Sequence, residues 1–388
     1  MSFIPYGKQE ILQEDINSVI DVLKSPFITQ GPKVSEFEEK IAKYVYAKYA
    51  VSTNSATSAL HIACLSLGLK KGDFLWTSPI SFVASSNCGI YCGAKIDFID
   101  IDPKTYNIDI NYLESKLKKT KKSKLPKIII AVHFAGQSCD MEALHKLSLR
   151  YGFKIIEDAS HALGGEYKGN KIGGCRYSDI SIFSFHPVKP ITTSEGGIAT
   201  TNNQALAKKM KILRSHGITK DIEDFDDPKK DSPWYYEQQI LGFNYRLNDI
   251  SATLGISQLN RLDSYTKKRN KIAEKYNKHL EHLELKTPFI ESYNYSAYHL
   301  YPILLTKNSG ISRKKLVEKF LDSKIGVQIH YIPIHLQPFY ARFGFKKGDF
   351  KEAEQYYKNT ISLPIFPNLS DDEQDKVIKV LKKCVAKK

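Results

Sequence analysis

Asp158 closes the apolar run Lys154-Ile155-Ile156-Glu157-Asp158. Lys189 follows a second run, Ser181-Ile182-Phe183-Ser184-Phe185, inside the stretch Ser-Phe-His-Pro-Val-Lys. A lysine amine forms a Schiff base with an aldehyde, and a carboxylate beside a pyridine nitrogen keeps that nitrogen protonated, so that the ring accepts electrons from a carbanion. Together the two residues have the chemistry of an enzyme that uses pyridoxal 5′-phosphate. Neither is diagnostic singly, because an Asp at a strand end usually caps the next helix and most lysines are solvated surface charges. Pro190 adds a geometric reason: the residue before a proline is pushed out of the helical region, so Lys189 is expected extended on a strand-to-loop bend with its side chain directed into a cleft.

The elements that must position this pair form an alternation of short apolar runs and helical patterns. Strands are predicted at residues 75–78, 95–99, 128–132, 154–157, 180–185 and 197–201, with helices near 81–91, 141–151 and 203–215. This is the signature of crossover units and a largely parallel sheet, an α/β fold. The run 197–201 follows its predecessor after too short a loop for a crossover helix and is expected antiparallel to its neighbours. From about Arg261 the texture changes to a long charged helix, a strand at 299–305, a helix at 312–322, a strand at 326–331 and an amphipathic helix from Asp371. The predicted division is therefore a large domain over 1–260, with an N-terminal arm, and a smaller α+β domain over 261–388.

Ligands of open α/β sheets collect at the carboxyl ends of the strands. Asn54-Ser55-Ala56-Thr57-Ser58 precedes a helix with one apolar stripe (Ala56, Ala59, Leu60, Ala63, Cys64, Leu67), so its first amides and a hydroxyl can meet a phosphate; an ordinary N-cap explains the same residues. Phe82 follows the strand at 75–78 and can stack on a planar ring or serve as core. His161, three residues beyond Asp158, can hydrogen-bond a ring oxygen or be structural. Ser184 offers a hydroxyl for a phosphate.

Composition bounds the alternatives. The chain has 388 residues with 57 Lys and Arg against 42 Asp and Glu, a net charge of +15. The densest basic run, Lys116 to Lys127, lacks interleaved aromatics and any nucleic-acid motif, so it reads as a solvated connector rather than a nucleic-acid surface. No apolar stretch approaches the roughly 20 residues of a membrane helix, and the N-terminus lacks the pattern of a signal peptide, so a cytoplasmic protein with no membrane partner is expected. Six scattered cysteines form no Cys-x-x-Cys pair, so no metal site is signalled.

Five segments in order, Asn-Ser-Ala-Thr at 54–57, Glu-Asp-Ala-Ser-His-Ala at 157–162, Ser-Phe-His-Pro-Val-Lys at 184–189, Thr-Thr-Ser-Glu-Gly-Gly at 192–197 and Gly-Phe-Asn-Tyr-Arg-Leu at 242–247, resemble the nucleotide-sugar aminotransferases of the DegT/DnrJ/EryC1/StrS family. The resemblance spans nearly the whole chain. It implies a fold-type I transferase dependent on pyridoxal 5′-phosphate, with a mostly parallel seven-stranded sheet in the large domain. By it, Lys189 would carry the cofactor, Asp158 would bind the pyridine nitrogen, His161 would sit near the ring hydroxyl and Phe82 would stack on the ring. Ala56, Thr57 and Ser184 would hold the phosphate, and Asn244 would reach the phosphate of the other subunit of a homodimer with shared active sites. Tyr6, the segment Pro26-Phe27-Ile28-Thr29 and the turn His330-Tyr331-Ile332-Pro333 would contact the sugar nucleotide. The family often has Gly where this chain has Ala56 and Ser194, and a frequent alanine where it has Ser160.

Thr29-Gln30-Gly31, residues 77–82, 160–164 and 189–193 look most like the pseudaminic-acid branch of that family. This branch implies transfer of the amino group of L-glutamate onto C4 of a UDP-linked 4-keto-6-deoxy-N-acetylhexosamine. Other readings are a dTDP- or GDP-linked sugar, amination at C3, or a non-catalytic nucleotide-sugar-binding regulator. Related sugar dehydratases have histidine in place of the cofactor lysine, and Lys189 argues against them.

Overall fold

The computed structural model describes residues 3–227 and 232–388. Its large sheet is built from β1 (Tyr49–Thr53), β2 (Phe74–Thr77), β3 (Lys95–Phe98), β4 (Ile128–Val132), β5 (Lys154–Asp158), β6 (Ile180–Ser184) and β7 (Gly197–Thr201). The spatial order is β1-β7-β6-β5-β4-β2-β3. β7 pairs antiparallel with both β1 and β6, while the pairs from β6 through β5, β4 and β2 to β3 are all parallel. The mostly parallel seven-stranded sheet and its one reversed strand are as the sequence reading expected.

Both faces of this sheet are covered, which is why its central strands are apolar at consecutive positions. In β4, Ile128, Ile130 and Val132 pack into one cluster with α3 (Ala56–Ser66) and α7 (Gln204–Arg214), while Ile129 and Ala131 enter a second cluster beside α5 (Ile110–Lys119) and α6 (Met141–Tyr151). α1 (Gln13–Leu23) and α2 (Pro32–Val45) pack on α8 (Asp249–Leu259). Asp15 of α1, completely buried, accepts hydrogen bonds from Arg261 Nη2 at 2.6 and 2.7 Å, Ser257 Oγ at 2.6 Å and Gln258 Nε2 at 2.8 Å. Burial opposes the charge on Asp15, but these donors and the Leu12 amide outweigh it and hold its carboxyl below the usual range.

The proposed division at 260/261 falls between α8 and the long helix α9 (Leu262–Leu280). Beyond it, the antiparallel strands Leu285–Lys286, Tyr301–Leu305 and Thr360–Leu363 pack with α9 and the helices Arg313–Asp322 and Asp371–Cys384 around a separate core. Three expectations are corrected here. Residues 326–331 form no strand; they make a single bridge, Gln328 to Ser362, on the edge of Thr360–Leu363 away from Tyr301–Leu305. The strand expected from His299 starts at Tyr301, and the helix expected from Ser81 begins as α4 at Ala84–Tyr91. In the N-terminal arm, Ile4 hydrogen-bonds Lys324 and Gly326 and is buried in the C-terminal core.

In the basic run at 116–127, Lys119, Lys121, Lys122 and Lys124 are exposed. Lys116 pairs with Asp97 and Lys127 with Asp73, while Lys118 bridges to Glu114 along α5. Among the described residues, no helix is long and apolar enough to cross a membrane.

Candidate active site

At the carboxyl ends of β4, β5 and β6 lies a cavity of about 410 Å³, lined by Val132, Asp158 and Ser184 from the strands themselves. Its wall on one side is the N-terminus of α3. Ser55 is the N-cap, accepting from Ser58 N at 3.1 Å, and Ala56 and Thr57 head the helix against the cavity. The first amides of a helix have no partner within it, so this end presents N–H donors and a positive dipole end to the space. Gly197 makes the arrangement possible. It lies between Thr53 and Ser184 in the sheet, and a Cβ there would stand 2.4 Å from the Ala56 nitrogen.

Asp158 ends β5 buried. Its Oδ2 accepts from Ser85 Oγ at 2.6 Å and its Oδ1 from Ser160 N at 3.2 Å, while Ser85 Oγ also meets Ser81 Oγ at 2.6 Å. Ser85 stands in the first turn of α4, so a single helix both orients the carboxylate and, through the preceding Phe82, supplies the cavity lip. The frequent alanine at 160 leaves the backbone donor unchanged, since it is the amide of Ser160 that meets Asp158.

Lys189 lines the same cavity, its amide closing a turn on His186 O at 2.9 Å. Burial pulls its amine down to about 8, against the opposing pull of the Asp158 charge. Ser194, in the following turn, has φ of +69°, the left-handed region that glycine adopts without strain. The family's glycine at this place thus answers a backbone requirement that Ser194 meets at some conformational cost.

His161 and Tyr331 form the roof. His161 Nδ1 accepts from the Ala135 amide at 3.3 Å, and its Nε2 lies 3.1 Å from the Tyr331 hydroxyl, with the two rings stacked at 23°. A backbone N–H can only donate, so Nδ1 is unprotonated. Burial, together with the charges of Lys189 and His330, holds the imidazole well below its usual range and therefore neutral. The proton then sits on Nε2 and is donated to the Tyr331 oxygen, which leaves the tyrosine's own hydrogen free for a group in the cavity. His330, also on the cavity, donates to or accepts from Ser362 Oγ at 2.9 Å and is driven down to about 3 by burial and then by the Lys189 charge. Tyr6 of the arm stands over His330 with ring centroids 5.3 Å apart.

Of the residues singled out in the sequence, Tyr6, Ala56, Thr57, Phe82, Asp158, His161, Ser184, Lys189, His330 and Tyr331 converge on this one cavity. Pro26, Phe27, Ile28 and Thr29 are exposed and do not line it, Pro333 is buried beside it in sequence only, and Asn244 is exposed on a segment whose Tyr245 carbonyl accepts from the Asn54 amide. Sequence reasoning missed Ser81 and Glu195 on the cavity wall and Ser85 behind Asp158. Ser85 carries no local signal, because its partner lies 73 residues away.

The residues present suit pyridoxal phosphate: an amine and a carboxylate on one cavity, unpaired helix amides for the phosphate and an aromatic lip. A profile of the DegT/DnrJ/EryC1/StrS aminotransferase family matches residues 9–382. The UDP-4-amino-4,6-dideoxy-N-acetyl-β-L-altrosamine transaminase of Campylobacter jejuni is 41% identical over 98% of this chain and 98% of its own. Among solved structures, PseC of Helicobacter pylori, an aminotransferase of pseudaminic-acid biosynthesis, superposes with a TM-score of 0.89 at 33% identity over 99% of both chains. The PLP form of a sugar aminotransferase from Streptococcus pneumoniae does so with a TM-score of 0.88 at 28% identity, over 99% of this chain and 100% of that one.

Proposed function

The chain belongs to the DegT/DnrJ/EryC1/StrS family of pyridoxal-phosphate-dependent aminotransferases, and on that premise we propose that it transfers the amino group of L-glutamate to C4 of a UDP-linked 4-keto-6-deoxy-N-acetylhexosamine, in the formation of pseudaminic acid. The convergence of Lys189 and Asp158 on one cavity carries the chemical part of this reading. The likeness to the Campylobacter transaminase and to PseC supports the substrate.

When bound, pyridoxal phosphate supplies an electron sink for the carbanion formed at the carbon that gives up or gains the amino group. Asp158, its two oxygens occupied by Ser85 and Ser160 donors, keeps the pyridine nitrogen protonated. The Lys189 amine, near 8, is a base suited to neutral pH: it removes the proton from the α-carbon of glutamate and, in the return half, delivers one to C4 of the sugar. Ala56 and Thr57 hold the phosphate on their amides, with Ser184 beside them. Tyr331, whose hydrogen is left free by His161, donates to an oxygen of the sugar nucleotide, while Tyr6 and His330 close the site from above. Binding of the distant nucleotide provides energy that orients the keto carbon.

The test supplies the purified protein with glutamate and a panel of UDP-, dTDP- and GDP-linked 4-keto-6-deoxy sugars, with the aminated carbon read by NMR. Amination at C4 of the UDP-linked N-acetylhexosamine is expected; a preference for another nucleotide or for C3 overturns the substrate assignment.

A further inference from the structure

Behind the cavity wall, a chain of hydroxyls ends on Asp158. Ser85, wholly buried in the first turn of α4, donates to Asp158 Oδ2 at 2.6 Å, and its Oγ lies 2.6 Å from that of Ser81. A serine hydroxyl has one hydrogen. Ser85 gives its own to the carboxylate, so the hydrogen between the two serines belongs to Ser81, and the chain has one polarity, from Ser81 through Ser85 to Asp158. Ser81 is buried on the cavity wall, whereas Ser85 does not line the cavity and acts only through its neighbours.

The helix that carries the chain is itself pinned. Tyr340, a buried residue of the C-terminal part, donates to Asn87 Oδ1 at 2.6 Å and stands 2.5 Å from Ser86 Oγ, which ties the turn after Ser85 in place. Both groups that hydrogen-bond the Asp158 carboxylate, the Ser85 hydroxyl and the Ser160 amide, are neutral. A lysine or arginine in their place would cancel the charge that a protonated pyridine nitrogen needs. Neutral donors fix the carboxylate in one orientation and leave its charge to the cavity.

We propose that Ser81 and Ser85 are positioning residues of the cofactor reaction, a hydroxyl relay that aims the Asp158 carboxylate at the pyridine nitrogen and so sets how strongly the ring withdraws electrons. The inference rests on the cofactor reading of Lys189 and Asp158. Without the Ser85 hydroxyl, Oδ2 has no donor and the carboxylate turns away from the ring. The ring nitrogen then loses the anion that stabilises its positive charge. That charge repels a second proton on the Schiff-base nitrogen across the ring, so its loss lets the Schiff base keep its proton to higher pH. Ser81 polarises the Ser85 hydroxyl and strengthens its bond to Asp158, a smaller effect in the same direction.

Wild-type, S85A, S81A and S81A/S85A holoenzymes are titrated by following the visible absorbance of bound pyridoxal phosphate against pH. The midpoint of S85A is expected about one pH unit above that of wild type, the size of shift that loss of a hydrogen bond to a charged group produces. S81A is expected to move it the same way by a smaller amount, and S81A/S85A to match S85A, because Ser81 acts only through Ser85. A role confined to stability would lower the unfolding midpoint and leave the absorbance titration where it is. An S85A midpoint equal to wild type overturns the relay, as does a double variant whose shift is the sum of the two single shifts. Should S85A fail to hold the cofactor, S81A decides: an upward shift supports the relay and an unmoved midpoint overturns it. Wild-type protein that binds no chromophore overturns the cofactor reading together with the relay, whereas the other adverse results overturn the relay alone.

Discussion

The amine of Lys189 is near 8 because the cavity strips its water while Asp158 compensates only in part. Only the neutral amine adds to an aldehyde, so capture of pyridoxal phosphate by apoprotein should accelerate as pH rises through about 8 and then level off. Stopped-flow absorbance of reconstitution reads this directly, and a rise displaced toward 10 would contradict the desolvated setting. K189A should lose turnover altogether, measured as glutamate-dependent amination. The His161 tautomer makes Tyr331 a donor, so Y331F removes one hydrogen bond to the sugar nucleotide. A neutral hydrogen bond contributes about 1 kcal/mol, which predicts roughly a fivefold rise in KM for the sugar with the glutamate half-reaction unchanged; an equal loss in both halves would place the hydroxyl on the cofactor instead. At this scale the sequence disclosed what its motifs carry, Asp158, His161 and Lys189. The supports Ser81, Ser85 and Ala135 stayed hidden, because each acts through a partner brought near only by folding.

Helix α3 and strand β7 meet at Gly197, where a side chain would collide with the backbone of Ser55 and Ala56 rather than with a flexible side-chain end. Overpacking of this kind costs about 1–3 kcal/mol. G197A should therefore lower the unfolding midpoint and weaken retention of the cofactor together, as read by calorimetry and by absorbance after gel filtration. Asp15 joins α1 to α8 and to Arg261, and removing one member of a buried ion pair costs about 3 kcal/mol. Because the folded-state pKa of Asp15 lies below its unfolded value, its contribution is present above about pH 5 and is lost as pH falls toward the folded value. The difference in unfolding free energy between wild type and D15N should accordingly shrink from pH 7 to pH 3. Six of the seven large-sheet strands were legible as short runs between helical patterns; burial on both faces makes the central ones apolar, whereas the edge strand β3 has only Ile96 and Phe98 as apolar positions. β1 was not: Tyr-Ala-Val-Ser-Thr ends in hydroxyl residues whose burial depends on the distant Glu38 and Arg214, which hydrogen-bond Ser52. In the small domain, residues 326–331 have the β-branched pattern of a strand and pass the free edge of Thr360–Leu363, but only Gln328 pairs there, with Ser362.

At the scale of the molecule, Asn244 poses the remaining question of placement. It is exposed and does not line its own chain's cavity, although its segment is anchored firmly, through the Ser215 bridge and the Asn54 amide, beside the α3 N-terminus. The proposal that it completes the phosphate site of a second copy gives a homodimer in which neither subunit is self-sufficient. N244A should then lose cofactor on gel filtration, and K189A should be inactive for a different reason. In a mixed dimer of the two variants one site carries both defects and the other carries none, because Lys189 comes from one chain and Asn244 from its partner. Mixing the two inactive proteins under conditions that let subunits exchange should restore activity to about a quarter of the wild-type value, since half of the dimers are mixed and each has one intact site. If Asn244 served its own chain's cavity, every site in every dimer would retain one defect. Mixing would then give no more than the sum of the separate activities, which would refute the shared site while leaving the chemistry of Lys189 and Asp158 untouched.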